Sequence, residues 1–399
     1  MNYDAALAYI AAYWPKIIHA NPQDSGTLIG LPYPYLVPRE RDPNSSMFQE
    51  MYYWDSYFIS LGVVGTPHEQ LIVDICENFS YLIERFGLIP NGSRYYFLSR
   101  SQPPFFTQQI KLAVEVKHRR GDADVTEFVR RMLALAEREH DTVWLGTAQP
   151  HHRQVHRGLS RYFDINYLHI LASCESGWDH STRCDDLWLD HLPVDLNSLL
   201  FTCENDLAGL AEQLGDAQRA THWRSQANAR RNTLHDLLWS EEHGFFFDYN
   251  WREERINMHP SLAGFYPLFA GWATQAQAQR VVSEWLPRFL QPGGLVTTLQ
   301  AAADKQWAWL NGWAPLQWLV VKGLDRYGFH IEAREVRRRW CENCAQVFAQ
   351  TGAFWEKYNV VDVAKSDSAR EVEQGVYGQL KGFGWSNAVF ADFVHQGLA

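Results

Sequence analysis

The sequence predicts an all-α chain, folded as a single domain in which paired helices close into a toroid. Helical periodicity recurs along the whole chain in segments of roughly ten to twenty residues, and strand alternation is scarce. The unusual residues, above all Trp, Gly, Asn and Pro, gather in alternate loops. A barrel of helix pairs needs that arrangement if the loops at one end are to build a cleft. No compositional break or linker divides the 399 residues, so 1–399 reads as one domain.

Taken in order, residues 2–19 read as an amphipathic helix ending before Asn21-Pro22. Residues 26–50 hold Pro32, Pro34, Pro38 and Pro43 and read as irregular chain. Helical patterns resume at 53–62 and 67–86, the second stopped by Gly87. Residues 88–107 are irregular again, and helices follow at 107–118 and 122–140. The second half repeats the rhythm at 195–214, 216–240, 260–269, 273–287, 313–327 and 329–350. Gly244 to Tyr249 reads as a short strand or hairpin arm.

Hydrophobic residues make up 46% of the chain, enough for a large core, and no low-complexity segment points to disorder. A net charge of −10 without a Lys/Arg block argues against nucleic acid or an anionic membrane surface as the partner. No apolar run is long enough to span a membrane, and the N-terminus lacks the basic-then-apolar pattern of a secretory signal. Six cysteines in a chain of this length do not make a disulfide framework. Cys341 and Cys344 form a lone C-x-x-C with no second pair to complete a zinc site, and no Asp-x-Asp-x-Asp-Gly run offers a calcium loop. The expectation is a cytoplasmic monomer or weak homo-oligomer that needs no metal or cofactor. Its 17 Trp, 18 Tyr and 22 Phe favour a carbohydrate cleft, where flat rings lie under pyranoses, although a helical core also absorbs aromatics.

Chemistry concentrates in Cys174 to Arg183, where Gly177-Trp178-Asp179 sets a carboxyl group beside a large ring on backbone that can turn sharply. Desolvation of that kind keeps a carboxylic acid protonated at neutral pH, while a helix cap by Asp179 or Ser181 is the plainer reading. Other loops repeat the theme. Gln49 to Phe58 places Asp55 in an aromatic cluster, and Ile89 to Gln102 offers Asn91, Arg94, Arg100 and Gln102, planar groups suited to pairs of hydroxyls. Gln306 to Pro315, Phe354 to Asn359 and Gly382 to Asn387 follow. Taken singly, Asp55 and Asn311 fit helix caps, and Glu356 beside Lys357 fits surface charge. Together they are carboxylates flanked by tryptophans in loop after loop. Two such carboxylates across a cleft, one protonated and one ionised, are what glycoside hydrolysis requires.

Over nearly its whole length the chain resembles the α,α-trehalases of glycoside hydrolase family 37. The resemblance rests on YYWDSYF at 52–58, GLIPNGSRYYFLSRSQPP at 87–104, ESGWDHSTR at 175–183, PVDLNSLL at 193–200, QWAWLNGWAPLQ at 306–317, WEKYN at 355–359 and GFGWSNAV at 382–389. It implies an (α/α)6 barrel and hydrolysis with inversion, with Asp179 as general acid and Glu356 as general base. Asp55, Asn91 and Arg100 fall where the family contacts sugar, with Trp54, Gln306 and Asn311 near them. Gln102, Gly177 and Trp385 complete the expected substrate-binding set.

The departures are as informative. Pro43 to Glu50 lacks the arginine of the family's P-G-G-R-F-x-E segment, and the arginine pair expected after Ser160 to Asp164 is absent. Ala308 and Leu310 replace an aspartate and a proline, and Glu371 to Tyr377 replaces a glycine-rich run, with Val376 where the glutamate belongs. Lost hydrogen-bonding partners redirect selection, so the chemistry looks kept and the leaving-group side rebuilt. Related family 63 enzymes cleave α-glucosides and α-mannosides, which makes glucosylglycerate, mannosylglycerate or kojibiose alternatives to trehalose. A non-catalytic sugar-binding protein on the same scaffold is the alternative of another class.

Overall fold

A computed structural model describes residues 2–43, 45, 47–149, 152–302, 304–363 and 380–397. In chain order its helices are α1 (Asp4–Tyr13), α2 (Tyr53–Ser60), α3 (Gln70–Phe86), α4 (Phe106–Arg120), α5 (Val125–Glu139), α6 (His169–Ser176) and α7 (Val194–Gln213). They continue with α8 (Ala217–Leu238), α9 (Tyr266–Ala270), α10 (Gln275–Arg280), α11 (Leu286–Phe289), α12 (Ala314–Arg326), α13 (His330–Thr351) and α14 (Gly384–His395).

Burial sorts these helices into two shells. Every residue of α2 and α9 is buried, as are Gly384 to Ala391 of α14, so these helices have no polar face to offer solvent. By contrast, the buried residues of α8 include Ala220, Trp223, Ala227, Arg230, Leu234 and Leu237, the three-four spacing of a single stripe. Among the described residues, α2, α4, α7, α9, α12 and α14 touch in that order, and α14 returns to α2, closing a ring of six. Around it, α3 packs on α4, α5 on α4 and α7, α8 on α7, and α13 on α12 and α14. Outer and inner helices alternate along the chain, and the fold is an (α/α)6 barrel.

Most expected helices stand within a few residues of their predicted ends. The first is shorter than 2–19 because Pro15 turns the chain after Tyr13, and Ile18–His19 then pairs with Tyr35–Leu36. Phe245–Phe246 forms a hairpin with Trp239–Ser240, as expected near Gly244. Two helices went unpredicted. The short α6 precedes the Gly177 turn, and α14 is buried on every face from Gly384 to Ala391, so it shows no amphipathic period. Cys341 and Cys344 lie one turn apart on α13, both buried. Glu371 to Tyr377 lies outside the described residues, as do Asn44 and Ser46 of the altered 43–50 segment. Among the described residues no helix is long and apolar enough to cross a membrane.

Candidate active site

At one end of the ring lies a cavity of about 650 Å³, its open mouth included. Its walls come from the first turn of α2, the loop ahead of α4, the turn after α6, the loops ahead of α12 and β-paired Lys357–Asn359, and the start of α14. Of the expected residues, Trp54, Asp55, Asn91, Arg100, Gln102 and Gly177 line it, and so do Asp179, Glu356 and Trp385. Gln306 and Asn311 are fully buried against it: Gln306 Nε2 donates to Asp179 Oδ2 at 2.9 Å, and Asn311 Nδ2 donates to the Gln306 carbonyl at 2.8 Å.

Asp179 owes its position to the backbone before and after it. Gly177 ends α6 at φ 73° with its face against the Trp54 ring, and a Cβ there would come within 2.7 Å of that ring. Left-handed strain of about 1–2 kcal/mol and overpacking of about 1–3 kcal/mol add in Gly177→Ala. We expect a lower urea midpoint and reduced turnover as Trp54 is displaced, and a variant as stable as the parent would refute this account. Beyond Asp179, His180 also takes a left-handed conformation, φ 58°, and Ser181 pairs with Trp307. Ser181 Oγ accepts from Arg183 N at 3.1 Å and donates to the Trp307 carbonyl at 2.9 Å, so it pins the turn to a neighbouring loop. Arg183, fully buried, runs from Trp178 to Asp195 and Asp248, at 2.8 and 2.7 Å.

Behind the turn, Glu175 is a hub. It accepts from Ser101 N at 2.7 Å and Phe163 N at 2.6 Å, and it pairs with Arg153. These bonds hold the 87–104 segment against the loop that carries Asp179. Arg100 Nη1 donates to Asp164 Oδ2 at 3.2 Å, and Asn91 Nδ2 donates to the Cys174 carbonyl at 3.4 Å, which orients both toward the cavity wall they line. Gln102 Oε1 accepts from Trp54 N at 3.2 Å, satisfying one of the unpaired donors at the start of α2.

Glu356 is no surface charge. It is 1% exposed, and its partner Lys357 is 0% exposed, with Nζ 2.7 Å from Glu356 Oε2. Lys357 lies in an antiparallel ladder opposite Trp313, and its ammonium sits 5.2 Å from the centre of that ring. Trp385 Nε1 donates to the Glu356 carbonyl at 2.9 Å, so α14 fixes the Glu356 loop from behind. Tryptophans form the floor. Trp307 and Trp313 stack at 3.8 Å between centroids, Trp178 stacks on Trp307 at 5.7 Å, and Trp54 and Trp385 meet edge to face at 6.0 Å.

The carboxylates differ in setting. Burial pushes the Asp179 carboxyl above the usual range and nearby Glu356 adds to it, against opposition from His180 and Gln306. Asp55, in the first turn of α2, is pushed well above its usual range by burial and by the charges of Glu356 and Asp179. A carboxyl in its acid form both donates and accepts, which suits a hydroxyl partner.

Other lining residues were not predicted. Trp307, Trp313, Tyr52 and Phe383 stand inside the motifs that carry the resemblance, and their spacing to Asp55, Asn311 and Trp385 was a usable signal. Phe97 and Cys174 likewise fall within segments singled out in the sequence, whereas Phe48 gives no local sign of its position. Tyr52, not Asp55, stands at the N-cap of α2, and Asp55 sits in the first turn.

Comparison with known proteins agrees with this geometry. A family model described as Trehalase matches residues 5–170 and 164–397. Neutral trehalase Nth1 from Saccharomyces cerevisiae superposes with a TM-score of 0.79 at 25% identity, covering 100% of this chain and 81% of that one. A GH63 mannosylglycerate hydrolase from Thermus thermophilus, in complex with Tris and D-glycerate, shares the fold. Its TM-score is 0.69 at 18% identity, over 98% of this chain and 99% of that one. A GH78 rhamnosidase of Bacillus sp. GL1 matches more loosely, with a TM-score of 0.60 at 14% identity, over 86% of this chain and 31% of that one. With two carboxylates in unlike settings facing one tryptophan-floored cavity, and a family match running through both halves of the ring, the chain belongs to the trehalase family and is a trehalase-like glycoside hydrolase.

Proposed function

We propose that the enzyme hydrolyses α,α-trehalose to two glucose molecules with inversion, using Asp179 as general acid and Glu356 as general base. The observation that carries this reading is the asymmetry of the pair. Asp179, partly open to the cavity, is held toward its acid form, and Glu356 is the carboxylate of a buried ion pair. Asp55, Asn91, Arg100 and Gln102 hold the hydroxyls of the inner sugar, with Trp54 and Trp385 beside the ring. As the glycosidic bond breaks, the Asp179 proton passes to the departing oxygen. A water on the opposite face of the anomeric carbon attacks while Glu356 takes its proton, and the free sugar emerges as the β anomer. Room for that water corresponds to carboxyl groups about 6.5–9.5 Å apart.

A second reading keeps the mechanism and changes the leaving group. Among the described residues, Arg100 is the one arginine on the cavity wall, and Asp164 already holds it, so the leaving-group side differs from the family's arginine-rich pattern. Proton NMR of the purified enzyme with trehalose, kojibiose, glucosylglycerate and mannosylglycerate in turn tests both. We expect β-glucose from trehalose before mutarotation. Inversion yields α- and β-glucose from trehalose in equal amounts, because the departing glucose keeps its α configuration; α-glucose alone as first product would overturn inversion, β-sugar from another of these substrates alone would move the substrate, and silence on all four would remove the assignment. The small sugar substrate follows from the family, and the cytoplasm as working compartment is part of this proposal, supported by six free cysteines, five of them buried. A monomer or weak homo-oligomer is its proposed state.

A further inference from the structure

Asp179 and Glu356 are joined by a continuous run of buried polar groups. Gln306, 0% exposed, donates from Nε2 to Asp179 Oδ2 at 2.9 Å and accepts at Oε1 from Lys357 Nζ at 3.3 Å. The same ammonium donates to Glu356 Oε2 at 2.7 Å. The Gln306 backbone is held too, its carbonyl accepting from Asn311 Nδ2 at 2.8 Å and Trp313 Nε1 at 3.3 Å. An amide can be turned end for end, and the network decides its orientation. Lysine has donors only, so Lys357 must face the amide oxygen of Gln306. The amide N–H groups are then turned toward Asp179, and the oxygen they meet has to be an acceptor.

We propose that Gln306 is a positioning residue of the reaction, which keeps the transferable proton on Asp179 Oδ1 by occupying Oδ2 and is itself oriented by the Lys357–Glu356 pair. The proposal rests on the catalytic assignments above. Oδ1 is thereby the oxygen that carries the proton to the leaving group. After transfer, the new Asp179 carboxylate keeps the Gln306 hydrogen bond, a charge-assisted bond stronger than the one it made as an acid. Gln306 therefore makes the buried acid easier to ionise at the moment it must give up its proton, opposing the effect of burial. The base, through Lys357, orients the group that orients the acid.

The test compares the wild-type enzyme with Gln306→Leu, which keeps the volume and loses the amide, and with Gln306→Glu, which keeps the shape and loses the donor. Rate against pH is measured on trehalose and on α-glucosyl fluoride, whose leaving group departs without full protonation. We expect kcat/KM on trehalose to fall by about 100-fold in both variants, with the alkaline limb moved to higher pH, and the loss on the fluoride to stay within about tenfold. Equal losses on both substrates with an unmoved alkaline limb would mean that Gln306 only supports the loop, and would overturn the proposal. Carbon-13 NMR titration of Asp179 separates this failure from that of the catalytic reading. An Asp179 titration identical in wild type and Gln306→Leu overturns the Gln306 role alone, whereas a wild type inert on both substrates overturns the assignment of Asp179 as acid, and the proposal with it.

Discussion

Asp179→Asn is expected to lower kcat on a disaccharide by about 10²–10⁴-fold, the range general acid catalysis supplies, and to make the folded protein more stable above neutral pH. The two effects share one cause. Burial raises the carboxyl's pKa in the folded state, with Glu356 adding to it, so the folded protein binds that proton more tightly than the unfolded chain does. Below the unfolded pKa both states are protonated and the group contributes no penalty. As pH rises from the unfolded pKa toward the raised folded pKa, the unfolded chain gives up the proton that the folded protein still holds, and stability falls until the folded carboxyl ionises as well. An amide cannot ionise and escapes this loss. Urea midpoints for wild type and variant should therefore lie close together near pH 4, with the variant ahead at pH 8. On α-glucosyl fluoride the variant should keep far more of its rate than on trehalose. Equal losses on both substrates, or a stability difference independent of pH, would count against Asp179 as the buried acid.

Glu356→Gln should also abolish turnover, by about 10²–10⁴-fold, with the opposite effect on stability. Its partner is a fully buried ammonium. Removing one member of a buried pair leaves the other uncompensated, a loss of about 3–5 kcal/mol, here near the lower end because the amide oxygen still accepts from Lys357. The chemical signature reports the face of the anomeric carbon that Glu356 serves. Added azide needs no deprotonation, so it should restore rate in Glu356→Gln and convert the α-glycoside to a β-glycosyl azide. An α-glycosyl azide would place Glu356 in a double-displacement mechanism instead. Rate without azide equal to wild type would remove the base assignment.

The pattern of carboxylates flanked by tryptophans led to the cavity from the sequence, because both residue types sit where the ends of buried helices meet loops. What stayed hidden depends on contacts between distant segments. Lys357 next to Glu356 reads as exposed charge in one dimension, and its burial follows from a ladder with Trp313, more than forty residues earlier in the chain. Phe48 and Phe97 line the site from segments that carry no regular period. Asn311 reads as a cap or a sugar contact, yet its side chain holds the Gln306 carbonyl inside the loop. The helix α14 escaped notice for the reason that makes it an inner helix: Gly384 to Ala391 are buried on every face, its polar Ser386 and Asn387 included, so no amphipathic period marks it. Leu310, where the family has proline, adopts φ 69°, a conformation proline cannot take, so this loop follows a path of its own.

Closure of the ring by α14 against α2 and α12 has a consequence for how the chain is made. A nascent polypeptide leaving the ribosome can bury most of its inner helices against neighbours soon after they emerge. The exposed flank of α2 has to wait for a segment more than three hundred residues later. Contacts so far apart in sequence form slowly, and the apolar seam they will cover stays open in the interval. The same segment brings Trp385 to the back of Glu356, so the proposed general base is secured only when α14 arrives. A chain stalled short of α14 would leave that apolar seam uncovered and the Glu356 loop unsupported, a target for chaperones and proteases.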